Sequence, residues 1–67
     1  MKVGFFRDKL VPDCIIFYCE RETRNILAHD YACEDAGFDD CTVIKWIAIP
    51  GTLGFYVIIE GGNLCVH

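Results

Sequence analysis

The sequence contains no serine, only two prolines, and six basic residues against ten acidic ones. The absence of serine excludes the hydroxyl nucleophile of a serine hydrolase. Apolar runs such as residues 15–19 are far shorter than the roughly 20 residues that a membrane-spanning helix needs. A net charge of −4 argues against a nucleic-acid binder that works through positive charge. These absences leave a small acidic protein with little room for a deep catalytic cleft.

What the sequence does have is a high apolar content in a short chain. Of its 67 residues, 54% are hydrophobic and 13% are aromatic, which is too apolar for a disordered protein. The length allows one domain, spanning residues 1–67. Five cysteines would suggest disulfides in a secreted protein, but the number is odd and the first residues include no apolar segment of signal-peptide length. We therefore expect a cytoplasmic protein with buried, reduced thiols.

Several segments rich in β-branched and aromatic residues predict strands. They cover residues 14–19, 41–49 and 55–60, and a short last strand is expected at 64–67. Tight turns containing glycine separate the last three segments, so these strands should form an antiparallel meander. An additional N-terminal strand over residues 2–7 is left open.

Residues 24–36 are predicted to form the helix. Apolar residues recur there at spacings of three to five, and Gly37 supplies a stop signal. The competing interpretation makes residues 26–31 a strand paired with residues 15–19. The alanine-rich stretch before a glycine favours the helix. The expected fold is α+β, in the order β-α-β-β-β, with an antiparallel sheet and one helix packed on one face.

The predicted strands are apolar on both sides. A half-exposed antiparallel sheet should alternate apolar and polar residues, and a single helix covers only one face. The second face, which includes Ile47 and Ile49, should therefore meet a partner, a second copy of the chain, or the N-terminal segment folded back through Phe5, Phe6 and Leu10. On the helix side, we expect Trp46 at the centre of the core, packed through Leu27 and Tyr31.

Half of the acidic residues lie within eleven positions that contain no lysine or arginine. Residues 1–24 carry five basic and four acidic side chains (+1), and residues 25–67 carry one basic and six acidic (−5). Such a cluster is either a solvated helix face or a surface complementary to basic sites on a partner. Together with Ile47 and Ile49, the candidate partner-binding residues are Asp30, Glu34, Asp35, Asp39 and Asp40.

We expect no catalytic site, no cofactor-binding site and no metal site. His29 and Cys33 have the i, i+4 spacing of a helical metal pair, but the repeated cysteine pairs of a zinc ribbon are absent. A cysteine–histidine nucleophile needs an orienting group that the spacing does not supply. Trp46, Phe55 and Tyr56 are better explained by cross-strand packing than by stacking on nucleic acid.

Residues 14–59, with a strand, an alanine-rich helix, an acidic turn and a meander that carries Trp46, resemble the small anti-CRISPR proteins of phages and mobile elements. Residues 10–12 and 45–50 (Lys-Trp-Ile-Ala-Ile-Pro) are also similar to a family of uncharacterised phage proteins with a Leu-Pro entry and a Trp-bearing strand end. The first resemblance implies a protein without catalysis or cofactor that docks on a bacterial CRISPR-Cas complex, often at its DNA-binding surface.

The expected function is therefore an inhibitory binding protein that attaches to a basic, nucleic-acid-handling protein surface in the host bacterial cytoplasm. It would bind no nucleic acid directly and no membrane. The alternative is a small structural or assembly protein that self-associates, as a homodimer, through the uncovered sheet face.

Overall fold

The computed structural model describes residues 1–61, which form one short helix and a four-stranded sheet. The elements are α1 (Val3–Asp8), β1 (Ile15–Glu20), β2 (Ile26–Tyr31), β3 (Thr42–Ile49) and β4 (Gly54–Glu60). The fold is thus a small α+β domain with one helix on one face, as the sequence predicts, but among the described residues the helix comes first, in the order α-β-β-β-β and not β-α-β-β-β. The strand expected at 64–67 lies outside the described residues.

The order of strands in the sheet is β2-β1-β4-β3. β1 and β2 form an antiparallel hairpin, and β3 and β4 form a second one. The two hairpins meet through β1 and β4, which run parallel, so the sheet is mixed and not wholly antiparallel. The central strands therefore come from opposite ends of the chain.

The N-terminal segment is helical, so the strand considered for residues 2–7 is wrong. Val3 and Phe6 are three positions apart, and a helical turn places both of them against the sheet, where they are buried. Lys2 alone makes an isolated bridge to Thr42, and the backbone N–H of Val3 donates to the Cys41 carbonyl at 2.9 Å. Burial of two apolar side chains holds this short helix, which would not be stable in isolation.

The helix predicted at 24–36 is also wrong, and the competing strand at 26–31 is confirmed as β2. The Glu20 carboxylate accepts hydrogen bonds from the backbone N–H groups of Glu22 and Thr23, which lowers the pKa of Glu20 and fixes a tight turn. Arg24 then adopts a left-handed backbone (φ 65°) and returns the chain beside β1. Cross-strand pairing with β1 overrides the helix propensity of the alanines.

Residues 32–41, which we call the cover segment, pack together with α1 on one face of the sheet. Ala32 and Cys41 are buried against that face, and Ala36 and Phe38 pack beside them. We call this side the closed face. Its buried residues are Val3, Phe6, Cys14, Ile16, Tyr18, Ala32, Cys41, Val43, Val57 and Ile59.

Trp46 lies on the closed face but not at its centre. Its indole ring contacts Phe6 of α1 with ring centroids 5.3 Å apart, and the residue is 49% exposed. Leu27 and Tyr31, the predicted neighbours, belong to β2 at the opposite edge of the sheet. The core instead centres on Tyr18, which is fully buried on β1.

Irregular pairing within β3 changes which of its side chains share a face. The register shifts between Val43 and Lys45, so Val43 pairs with Ile59 and Lys45 pairs with Ile58. Strict alternation would place Val43 with Ile47, whereas the shift places it with Trp46 on the closed face.

Candidate protein-binding surface

The second face of the sheet is apolar and is not covered by any of residues 1–61. Phe6 and Leu10, considered as its cover, pack on the closed face instead, and Phe5 is exposed. We call this surface the open face. The strand register assigns it Ile15, Phe17, Cys19, Ile26, His29, Tyr31, Lys45, Ile47, Ile49, Tyr56 and Ile58, and at one end the polar residues Thr42 and Glu60.

A ridge crosses the middle of the open face. His29, Phe17, Tyr56 and Ile47 are paired in turn across the four strands. The Phe17 ring centroid lies 5.5 Å from His29 and 5.6 Å from Tyr56, within the range of favourable aromatic contacts. Tyr56 remains 40% exposed and Ile47 44% exposed, so the ridge offers apolar surface to a partner.

A hollow of about 320 Å³ lies on one side of this ridge. Its floor is Gly54, which has no side chain, and its walls include Ile15, Ile49 and Leu53. A Cβ atom at Gly54 would lie 3.2 Å from the Ile49 Cδ1 atom. The absence of a Cβ atom therefore lets the Ile49 and Thr52 side chains pack closely against Gly54 at the base of the hollow.

A second hollow, of about 220 Å³, lies on the other side of the ridge. Cys19 and Ile58 are only 5% and 4% exposed, and Ile26 and Ile47 stand higher beside them. Arg24 lines the same hollow. A ridge between two hollows is a shape into which apolar side chains of a partner can interdigitate.

The five acidic candidate residues lie on the side of α1. Asp30 pairs with Ile16 on the closed-face side of β2. The other four, Glu34, Asp35, Asp39 and Asp40, belong to the cover segment. Because β2 is a strand and residues 32–41 are a loop, these residues do not form the helix face that the sequence predicts.

One of these acids, Asp39, is engaged inside the molecule. Its carboxylate accepts hydrogen bonds from Arg7 Nε at 2.9 Å and Nη2 at 2.8 Å, while Arg7 Nη1 donates to the Ala32 carbonyl at 2.8 Å. The hydrogen bonds from Arg7 lower the pKa of Asp39. Asp39 thus fastens the cover segment to α1, whereas Glu34, Asp35 and Asp40 are exposed.

The predicted partner-binding residues therefore divide between two sides of the sheet. Ile47 and Ile49 lie on the open face, and the acidic residues lie on the side of the closed face. A single compact partner cannot contact both groups at once without reaching around an edge of the sheet.

The helical spacing that suggested a metal pair does not exist in the fold. His29 lies on β2 and packs against Phe17, while Cys33 is exposed in the cover segment. Within residues 1–61, no three histidine, cysteine or acidic side chains are grouped so that they could hold a metal ion. Cys14 and Cys19 are buried, as expected, whereas the exposed Cys33 departs from the expectation of buried thiols, and Cys65 lies outside the described residues.

Comparison with protein-family models, with curated proteins and with solved structures gave no match to this chain. In the described part of the chain, no helix has the length and apolar character needed to cross a membrane.

Sequence reasoning identified Ile47 and Ile49 but missed most of the open face. Phe17, Tyr56 and Ile58 were recognised as strand residues, yet their common face depends on the parallel pairing of β1 with β4. The available signal was the apolar character of both sides of β1 and β4, which indicated an uncovered face without saying which residues form it.

Proposed function

We propose that this chain is a non-catalytic binding protein that attaches to a protein partner through its open face. The observation that supports the proposal is the ridge of His29, Phe17, Tyr56 and Ile47 between two apolar hollows. Monomeric soluble proteins rarely leave such a contiguous apolar patch exposed unless it serves an interaction.

The size of the open face indicates what kind of interface it can form. Four strands spaced about 4.8 Å apart and about 20 Å long present a flat area of about 400 Å². A standard protein interface buries about 800 Å² on each partner. The open face is thus large enough for the apolar centre of an interface, and the surrounding residues would form its rim.

The cellular role within this proposal is inhibition of a bacterial CRISPR-Cas complex by a phage-encoded protein in the host cytoplasm. It draws on the resemblance of residues 14–59 to anti-CRISPR proteins in size, acidity and lack of catalytic residues. The exposed acids Glu34, Asp35 and Asp40 are a second, separate surface that a basic partner could contact.

The test compares the two surfaces by introducing charge changes on each of them. The open-face variant Tyr31→Asp/Ile47→Asp and the acidic-side variant Glu34→Lys/Asp40→Lys change exposed residues only. Both should remain folded by circular dichroism, because surface substitutions rarely cost more than about 0.5 kcal/mol each.

Binding of each variant to a panel of purified CRISPR-Cas complexes is measured by surface plasmon resonance, and phage sensitivity of cells expressing it is scored. We expect the open-face variant to lose binding and inhibition and the acidic-side variant to keep both. The opposite pattern would indicate that the partner contacts the exposed acidic residues and not the open face. Binding to none of the complexes would reject the CRISPR-Cas role.

Self-association is the alternative, and the same apolar surface favours it. Two open faces packed against each other would form a sheet sandwich with sheets about 10 Å apart. Sedimentation equilibrium distinguishes the two functions. A mass that stays monomeric at all protein concentrations would reject self-association. A dimer that dissociates in the Ile47→Asp variant would favour self-association over the binding of a different protein.

A further inference from the structure

The arginines of the chain differ in what their guanidinium groups contact. Arg7 pairs with Asp39 at 2.8 Å, and Arg21 pairs with Glu60 at 2.6 Å. Among residues 1–61, no carboxylate pairs with Arg24, whose Nε donates only to the backbone carbonyl of Arg21 at 3.1 Å. Arg24 is therefore a positive charge that the described part of the molecule does not neutralise.

The fold holds Arg24 beside the hollow over Cys19 and Ile58. Its backbone N–H donates to the Glu20 carbonyl at 2.9 Å, and its φ of 65° lies in the left-handed region that a long side chain seldom adopts. The turn that fixes this conformation thereby places a guanidinium at the rim of an apolar hollow.

Lys45 lies on β3, at the edge of the sheet opposite β2, which Arg24 precedes. Ile26, Cys19, Ile58 and Lys45 are paired across the four strands in that order. Lys45 is exposed, and it too has no carboxylate partner within residues 1–61. Of these two cations without a carboxylate partner, Arg24 thus lines the hollow and Lys45 is paired with Ile58, one of the other residues that line it.

Negative charge on this face is confined to one paired group. Of the residues that the strand register assigns to the open face in β1 to β4, Glu60 alone carries a carboxylate, and it is bound by Arg21. The open face is thus locally positive in a chain whose net charge is −4. This polarity is the reverse of what a basic partner would require.

We propose that the open face binds an acidic segment of a partner protein, with an apolar side chain in the hollow over Cys19 and Ile58 and carboxylates paired with Arg24 and Lys45. The proposal rests on the proposed function, since it names the chemistry of the partner at the same surface. Carboxylate is the natural partner because a guanidinium binds it with two parallel hydrogen bonds.

Single-stranded nucleic acid fits the charges less well. It would stack on the aromatic ridge, but a site of about four nucleotides or more brings more phosphates than two cations neutralise. The ridge aromatics also pack on one another, Phe17 with His29 and with Tyr56, which engages part of their ring surfaces. Two carboxylates against two cations is the better match.

The experiment selects ligands without assuming a sequence. A phage-displayed library of random peptides is selected on the immobilised wild-type protein, and enriched peptides are synthesised with a fluorescent label for anisotropy measurements. We expect the enriched peptides to combine large apolar residues with aspartate or glutamate. Enrichment of basic or uncharged peptides, or no enrichment, would overturn the proposal.

Charge variants then test the two cations. Arg24→Glu/Lys45→Glu should weaken the selected peptide at least tenfold, whereas Lys2→Glu/Lys9→Glu, with the same change in net charge on the side of α1, should stay within twofold. Arg24→Asn/Lys45→Gln provides a second test that does not strain the turn, because asparagine tolerates the left-handed backbone at Arg24. Unchanged affinity in this neutral pair would overturn the proposal.

Two further measurements separate the ways in which the proposal can fail. If Ile47→Asp removes peptide binding but neither charge variant does, the acidic partner is rejected and the open face remains the contact surface. If Ile47→Asp has no effect, the proposed function itself fails. A labelled oligothymidine that binds the wild type more tightly than the selected peptide would assign the face to nucleic acid instead.

Discussion

The two faces of the sheet are similarly apolar, but they differ in how far their side chains are buried. The closed face buries side chains such as Ile16, Val57 and Ile59 completely beneath α1 and the cover segment. The open face presents Tyr31, Ile47 and Tyr56 with about half of their surface exposed. Both faces are built by the same four strands, so strand composition alone does not decide which face is the core. Which face becomes the core is decided by α1 and the cover segment, because together they pack on the closed face only.

The largest expected effect compares the same substitution on the two faces. Ile59→Ala on the closed face should destabilise the protein by about 2–5 kcal/mol, because it leaves a cavity in a packed core. Ile47→Ala on the open face should cost less than about 1 kcal/mol, mainly through reduced β propensity. Urea unfolding followed by tryptophan fluorescence measures both.

Equal losses for these two variants would contradict the distinction between the faces. Such a result would mean that the open face is buried in solution, and repeating the Ile47→Ala measurement over a range of protein concentrations would then reveal a dimer.

The next comparison concerns the attachment of the cover segment. Arg7→Ala should cost about 1.5–3 kcal/mol, because it removes charge-assisted hydrogen bonds to Asp39 and Ala32 at a site where the Arg7 side chain is 13% exposed. The control Arg21→Ala removes an exposed ion pair with Glu60 and should cost less than about 1 kcal/mol.

The same ion pair predicts a dependence on acid. Since Arg7 lowers the pKa of Asp39, the pair stabilises the fold fully above the unfolded aspartate pKa of about 3.9 and loses this effect as pH falls through the lower folded pKa. The stability difference between wild type and Asp39→Asn should therefore shrink below about pH 4. If this stability difference stays constant down to pH 2, protonation of Asp39 does not contribute to the loss of stability in acid.

The smallest effect is expected at Tyr18, in the centre of the closed face. Its hydroxyl is buried without a hydrogen-bond partner in the described structure. Tyr18→Phe removes this unsatisfied group and should raise stability by about 1 kcal/mol. A loss of stability would show instead that the hydroxyl is bonded in solution.

Tyr18 also predicts a response to alkali. Burial raises its pKa to about 12, above the unfolded value of about 10. Between these values the unfolded chain releases the proton more readily, so stability of the wild type should fall as pH rises from about 10 to about 12. Tyr18→Phe should lose that part of the alkaline decline.

The sequence allowed good prediction where local chemistry decides the structure. β1, β3 and β4 follow from runs of β-branched and aromatic residues, and the uncovered face follows from their apolar character on both sides. β2 was mistaken for a helix because Ala28 and Ala32 have high helix propensity, whereas cross-strand contacts with β1 determine the structure there.

Features that depend on distant pairing could not be predicted. The parallel contact of β1 with β4 leaves no local signal, and the register shift after Val43 exchanges the faces of the rest of β3. The positions of Arg24 and Lys45 at opposite edges of the open face follow from both. Their charges were visible in the sequence, but their relation to each other was not.

The parallel pairing of β1 with β4 has a consequence for how the protein is made. Ile15 lies opposite Gly54, so the two central strands join positions 39 residues apart in the chain. Contacts between such distant residues require closing a long loop before any stabilisation is gained, which slows folding. A ribosome that has released only β1, β2 and the cover segment has produced a hairpin with an unpaired inner edge. The native domain forms only after β4, the last described strand, has emerged and taken its place in the middle of the sheet.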